Sequence, residues 1–487
     1  MSSQPQVALP TDGVVAVPLA GETFTGSEST EVRSPFDGSL IGRVPVGSVA
    51  DVDRAVGVAR AALDEQPLAP WQRAQILDKA ASLLRERTEY FAQIIAREAA
   101  KPIKTARVEA ERAAGTFTFA ALEARRLSGE VVPLEAAPGA DGKLAFTLRV
   151  PIGVVGAISP FNFPLNLVAH KLAPAIAAGD PVVLKPAGQT PFSAIALAWL
   201  LIEECGLPAS YLSVVTGAGS VVGNAIVDHP DIALITFTGS PEVGWGIKSR
   251  APRKHVGLEL GNNAPVIIAA DGDWKKAADK IKIAGFSHAG QSCISTQRIL
   301  VHSSVAAEFT QYLGGLVGSL VVGDPLDDTT DVSALISRNE RDRVKGWVDE
   351  AVAQGGRIVT GGSIDDNGVL VPTVIADAKP GMAVCVNEVF GPVVAIQSID
   401  SVDEGLKLAN DTAYGLQAAI FTRDLATAFH AVRALDFGGV LVNEVPTWRA
   451  DQMPYGGVRD SGNTREGPAY SVQEMTETRL VIIDSNA

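Results

Sequence analysis

From Gly153 to Phe237 the chain alternates short apolar runs with helical stretches, and this alternation restricts the fold more than any other feature. The apolar runs cover 154–158, 182–185, 212–215 and 233–237. Helical patterns fill 165–178, 191–205 and 220–228 between them. Continuous Val/Ile/Leu runs joined by helices and short turns predict a parallel sheet covered on both faces, an α/β fold. Open sheets of this kind bind ligands beyond the carboxyl ends of their strands. The residues following the four runs are therefore the first candidates for a site. They are Ser159-Pro160-Phe161-Asn162-Phe163-Pro164, Lys185-Pro186-Ala187-Gly188, Thr216-Gly217-Ala218-Gly219 and Thr238-Gly239-Ser240. Thr238-Gly239-Ser240 precedes a helical pattern and offers free backbone N–H groups to a phosphate. Gly217-x-Gly219-x-x-x-Gly223 misses the dinucleotide fingerprint by one residue. Lys185 has two readings, a ligand of ribose or phosphate and a solvated lysine.

Around this unit the pattern changes twice. Residues 1–31 are polar and rich in Gly, Ser and Thr, and read as a loose arm. Helical periodicity follows over 52–63, 71–87, 90–99 and 104–127. Residues 130–150 read as a hairpin about a Pro/Gly/Asp turn at 138–142. A second alternating unit spans 265–443. The tail run 478–483 is a lone apolar strand with no neighbour in sequence, so it must join a sheet elsewhere, in its own chain or in a partner subunit.

Cys293 lies in Gly290-Gln291-Ser292-Cys293-Ile294-Ser295, between a helical pattern over 274–288 and a strand pattern over 298–301. That junction is suited to presenting a thiol to a ligand, although a lone cysteine is more often a small buried apolar residue. Cys205 and Cys385 are the only others. Three widely spaced cysteines give neither a disulfide framework nor a metal pattern, and fit a reducing compartment. A net charge of −14 argues against a non-specific nucleic-acid partner. No apolar run approaches a membrane span, and 1–12 lacks a leader pattern, so the expected location is cytoplasmic.

Seven motifs in order resemble the aldehyde dehydrogenase superfamily over 33–483. They are Pro160-Phe161-Asn162-Phe163-Pro164, Lys185-Pro186-Ala187, Phe237-Thr238-Gly239-Ser240, Leu258-Glu259-Leu260-Gly261, Gly290-Gln291-x-Cys293, Glu388-x-Phe390-Gly391-Pro392 and Met453-Pro454-Tyr455-Gly456-Gly457. Within the superfamily the chain looks nearest to the bacterial and archaeal subgroups associated with lactaldehyde and phosphonoacetaldehyde.

The resemblance implies an NAD(P)-dependent oxidation of an aldehyde to a free carboxylic acid, through a cysteine thiohemiacetal and thioester. Cys293 would be the nucleophile, Asn162 with the Cys293 N–H the oxyanion donors, and Glu259 the base for water. Cofactor contacts would come from Ser159, Pro160, Phe161, Lys185, Gly219, Gly239, Ser240, Leu260, Glu388 and Phe390. Gly188 stands where many NAD-preferring members carry Glu, which leaves both NAD and NADP open. Phe163, Asn166, His170 and Arg449 would meet the substrate. With a helix starting near Pro164, Asn162, Asn166 and His170 recur on one face and suit a polar or hydroxylated small aldehyde. His170 also reads as a satisfied core histidine, and Arg449 as the partner of Asp451. No metal is expected. The implied parts are a Rossmann-like cofactor domain (1–129 and 151–257), a catalytic domain (258–463) and an oligomerisation element (130–150 and 464–487), in a homodimer or homotetramer. A thiol hydrolase using Cys293 and Glu259, and a non-catalytic family member, are the alternatives.

Overall fold

The computed structural model describes residues 13–484. Its first core carries a five-stranded, all-parallel sheet in the spatial order His255–Glu259, Ile232–Thr238, Val154–Ile158, Val182–Lys185, Leu212–Val214. The chain begins in the middle of this sheet and later returns to its other side. The topological switch point therefore falls between Val154–Ile158 and Ile232–Thr238, where a crevice opens at the carboxyl ends. Burial is complete along Val154–Ile158 and Val182–Lys185, as helices on both faces require.

The helix Ile103–Arg126 packs on Pro70–Glu86 and Asn166–Ala178. It buries Ala106, Ala110, Ala113, Ala114, Ala120, Ala121 and Ala124, and this small-residue face allows close approach of the helix axes. The second sheet has seven strands in the order Arg357–Thr360, Thr373–Ala376, Val393–Ile399, Arg298–His302, Pro265–Ile268, Gln417–Phe421, Gly439–Val442, parallel except for Arg357–Thr360. Glu259 ends the first sheet and Pro265 opens the second. Cys293 precedes Arg298–His302. The carboxyl ends of one sheet thus face the amino ends of the other across the site.

Three expectations are corrected. Residues 13–31 are not a loose arm: Val17–Leu19 pairs with Glu22–Phe24, and Ser29–Arg33 with Leu40–Pro45. These strands are too short and polar to show a period, yet Val17, Leu19 and Val32 are buried. Residues 1–12 of that arm, and the leader reading made on them, lie outside the described residues.

The helix before Cys293 ends at Ala284, and a short turn Ser287–Gly290 follows. His288, Ala289 and Gly290 there take φ of 50°, 53° and 70°. At Gly290 a Cβ would come within 2.1 Å of the Gly391 carbonyl oxygen, so glycine is required by space as well as by conformation.

The helix after Pro164 is Asn166–Ala178, which leaves Asn162 in the preceding turn and off the face shared by Asn166 and His170. Of the two homes left open for the tail, the strand Thr476–Asp484 takes the one in its own chain, pairing antiparallel with Lys143–Pro151 over its whole length. The preceding Pro468–Glu474 is a helix whose Val472 joins the first core.

Candidate active site

Cys293 is half-buried, and its Sγ lies 2.8 Å from the Tyr455 hydroxyl. Its loop is fixed from several sides. Ser295 Oγ donates to the Ala284 and Gly285 carbonyls. Gln291 Oε1 accepts the Ile336 N–H. Asn162 Nδ2 donates to the Gln291 carbonyl at 2.9 Å, which joins the turn after the first sheet strand directly to the cysteine loop. A carboxamide nitrogen carries two protons. One is committed to Gln291, and the other remains for an oxygen bound beside the thiol.

The Asn162 turn stands on a buried ion pair. Lys101 and Glu109 contact each other in the interior, with side-chain exposures of 0% and 1%. Lys101 Nζ also donates to the Asn162 carbonyl at 2.6 Å and lies 3.6 Å from the Phe163 ring centroid. Glu109 Oε1 accepts the Leu165 and Asn166 N–H groups, which opens the next helix. Removing either partner would leave an uncompensated buried charge, which typically costs about 3–5 kcal/mol.

Glu259 is buried, and neither carboxylate oxygen has a hydrogen-bond partner within the protein. Burial, reinforced by the nearby Glu466 carboxylate, pushes its pKa well above the ordinary carboxylate range. Glu466 behaves oppositely. Arg449 donates to it at 2.8 Å and holds it ionised despite burial. A carboxyl with a raised pKa and no partner is a stronger base than a solvated one, held where only a bound ligand or water can donate a hydrogen bond to it. Burial also raises the Cys293 thiol, to about 12, while the Tyr455 hydrogen bond acts downward.

Along the switch-point crevice lie the residues predicted for a dinucleotide. Ser159 and Lys185 are buried at neighbouring strand ends, with the Ser159 N–H donating to the Lys185 carbonyl. Lys185 Nζ reaches only the Pro186 carbonyl, and burial lowers its pKa. Ser240 is the N-cap of Pro241–Arg250, yet its side chain makes no capping bond, so it is available to an anion at that helix start. Gly219 opens the helical turn Gly219–Gly223 on an exposed rim. Phe161 and Phe390 meet edge to face with centroids 5.8 Å apart. Glu388 Oε1 accepts the Asn262 N–H, and burial raises its pKa to about 7. A Cβ on Gly261 would fall 2.3 Å from Glu388 Oε2, so that carboxylate depends on the glycine next to Leu260. No Cβ contact would arise at Gly188. An anchored lysine, an uncommitted N-cap serine and a paired carboxylate along one crevice fit a nicotinamide dinucleotide.

Asn166 and His170 are both buried, and both reach Asp451, at 3.4 and 3.1 Å. Thr116 Oγ1 lies 3.2 Å from Asn166 Oδ1 and 3.3 Å from His170 Nε2. Asp451 pairs with Arg112, at 2.8 Å, and with His170, which hold it ionised. Arg449 pairs with Glu466 rather than with Asp451, and touches His170 at 3.2 Å. Sequence reasoning missed Lys101, Glu109, Tyr455, Glu466 and Lys171. Lys171, which donates to Thr236 and Thr238, carried a legible signal as the one lysine in a helix otherwise apolar beyond Asn166 and His170. The others are joined to the site by contacts between residues far apart in sequence.

The Aldehyde dehydrogenase family model matches residues 23–481. The chain is 46% identical over 464 residues to a 3-sulfolactaldehyde dehydrogenase of Priestia megaterium, covering 95% of this chain and 97% of the relative. It is 37% identical over 459 residues to a lactaldehyde dehydrogenase of Methanococcus aeolicus, covering 93% and 97%. Among solved structures it is similar to the glyceraldehyde-3-phosphate dehydrogenase GapN of Methanocaldococcus jannaschii complexed with NADP. That likeness has a TM-score of 0.90 and 38% identity, and covers 94% of this chain and all of the other.

Proposed function

The chain belongs to the aldehyde dehydrogenase family and is an NAD(P)-dependent enzyme of it; we propose that it oxidises a small hydroxylated aldehyde to the free carboxylic acid. The observation that carries this is a thiol, a carboxamide donor and a partnerless buried carboxyl brought together beside the dinucleotide crevice. The thiolate of Cys293 adds to the carbonyl carbon, and the oxygen takes up the π pair. Asn162 donates to that oxygen; losing such a donor typically costs about 10²–10³ in rate. The nicotinamide, when bound, supplies the hydride acceptor that leaves an acyl group on Cys293. Glu259 takes a proton from the water that attacks this thioester, and Cys293 leaves as thiolate. A thiol hydrolase would need no dinucleotide crevice, and a non-catalytic member would need none of the three reacting groups.

Ser159, Pro160, Phe161, Lys185, Gly219, Gly239, Ser240, Leu260, Glu388 and Phe390 hold the cofactor in this reading. Asn166, His170 and Arg449 form the polar wall of the substrate pocket, with the Phe163 ring as its apolar member. The names of the two curated relatives support hydroxylated aldehydes as the substrate class. Reduced-nicotinamide absorbance over a panel of aldehydes with both cofactors tests it. Three-carbon 2-hydroxyaldehydes should exceed their unsubstituted counterparts in kcat/KM by about tenfold or more, as a satisfied polar pocket predicts. Equal rates on simple alkyl aldehydes would reject the substrate class.

We further assign the cofactor domain to 1–129 and 151–257 and the catalytic domain to 258–463, and place the protein in the cytoplasm, where its three free thiols stay reduced. Among the described residues no helix is long and apolar enough to cross a membrane. The sheet formed by 131–132, Lys143–Pro151 and Thr476–Asp484 ends on the tail strand. It exposes Leu144, Leu148, Leu480, Ile482 and Ile483 to between 44% and 53%. An apolar edge of this kind is an aggregation liability unless covered, and a second copy covers it in a symmetric dimer or a dimer of dimers. Deleting the chain from Thr478 onward is expected to lower the mass measured by light scattering before it lowers cofactor binding. Retention of the full-length mass and melting temperature would remove this element from the assembly.

A further inference from the structure

We propose that the Tyr455 hydroxyl is a catalytic group that donates a hydrogen bond to the Cys293 sulfur and stabilises the thiolate that attacks the aldehyde. The proposal rests on Cys293 being the nucleophile.

Contact and rigidity carry it. The hydroxyl sits 2.8 Å from Sγ. Both residues belong to a small apolar cluster with Ile294, Leu416 and Met453, where water competes poorly for the sulfur. The Tyr455 backbone is pinned on both sides: its N–H donates to the Glu466 carbonyl at 3.0 Å, and the Glu466 N–H donates back at 2.6 Å. The ring is also held, because the Arg449 guanidinium lies over it at 3.8 Å from the centroid and is itself anchored on Glu466. A cation on the face of a phenol draws charge from the ring and makes its O–H a better donor.

The surrounding charges show why the sulfur needs this contact. Glu388 and Glu259 face Cys293 and oppose its ionisation; Arg449 favours it. Cys293, Glu259 and Arg449 are also the charged and titratable groups around Tyr455, whose own ionisation is suppressed by burial, Cys293 and Glu259 and favoured by Arg449. Tyr455 therefore keeps its proton. Before ionisation either atom of the pair can donate. Once the thiol proton has gone to solvent, the electron pair left on Sγ can only accept, and Tyr455 can only donate. Charge-assisted bonds of this kind are roughly twice as strong as neutral ones. As the C–S bond forms, that pair becomes the bond and the carbonyl π pair moves to oxygen.

The test is site-resolved alkylation of Cys293 by iodoacetamide as a function of pH, in the cofactor-free protein and in Tyr455→Phe, beside kcat/KM profiles on the same samples. Phenylalanine keeps the ring beneath Arg449, and an NADP titration followed by protein fluorescence reports that the fold is retained. The expected result is an alkylation midpoint raised by about one pH unit or more, a rate lowered about tenfold at neutral pH, and convergence with the wild type at high pH. Turnover should fall and recover along the same curve. An unchanged midpoint overturns the proposal, whatever happens to turnover. Failure of the underlying reading looks different: Cys293→Ala would then retain aldehyde oxidation.

Discussion

Cys293→Ala is expected to reduce aldehyde oxidation by on the order of 10³-fold or more, because the covalent route is lost with the nucleophile. The effect should be confined to chemistry. The thiol touches Tyr455 and a small apolar cluster, while the proposed dinucleotide contacts, Lys185, Ser240 and Glu388, lie on other segments. NADP affinity should therefore remain near the wild-type value. Neither remaining cysteine can substitute: Cys205 and Cys385 are buried in core clusters, and burial raises both thiols, to about 12 and about 11. Substantial dehydrogenase activity in the variant, measured as reduced nicotinamide formed per enzyme, would remove Cys293 from its assigned role.

Glu259→Gln is expected to separate the two halves of the reaction. The carboxamide is nearly isosteric and fits a site whose oxygens already lack partners. Acylation of Cys293 should survive, while hydrolysis should slow by roughly 10²–10⁴, the usual contribution of a positioned base. Stopped-flow mixing should then show a burst of reduced nicotinamide close to one equivalent per site, followed by slow turnover. The wild-type hydrolytic rate should also depend on pH in a definite direction. Burial and Glu466 raise the Glu259 pKa, so the ionised base accumulates only as pH rises above the ordinary carboxylate range. The rate should climb through that interval in the wild type and lose this limb in the variant. A normal steady-state rate without a burst would mean that another group activates the water.

The parallel sheet was legible because its strands are continuous apolar runs separated by helices, and its tips carried residue types that suit ligands. The residues 17–33 were not, since strands of three to five residues, one wholly buried and the others largely exposed, leave no periodic signal. Cys293 and Glu259 stood out through the motifs around them. What holds them did not. Lys101 reaches Asn162 across 61 positions, and Tyr455 reaches Cys293 across 162; no local pattern encodes contacts of that range. The left-handed run from His288 to Gly290 was hidden for another reason. Only Gly290 advertises such a conformation, and His288 and Ala289 adopt it because the chain is held on either side. The four-residue spacing of Asn166 and His170 was legible, but not their shared partner, Asp451, which approaches from 281 positions beyond His170.

In the proposed reaction one thiol carries the acyl group which one carboxylate then releases. Rapid acid quench of Glu259→Gln after mixing with NADP and a 2-hydroxyaldehyde, followed by peptide mass analysis, tests it most directly. The expected result is an adduct on the peptide containing Cys293, with the mass of the corresponding acyl group, forming in step with the burst of reduced nicotinamide. Reduced nicotinamide appearing at burst rate while the Cys293 peptide stays unmodified would contradict it.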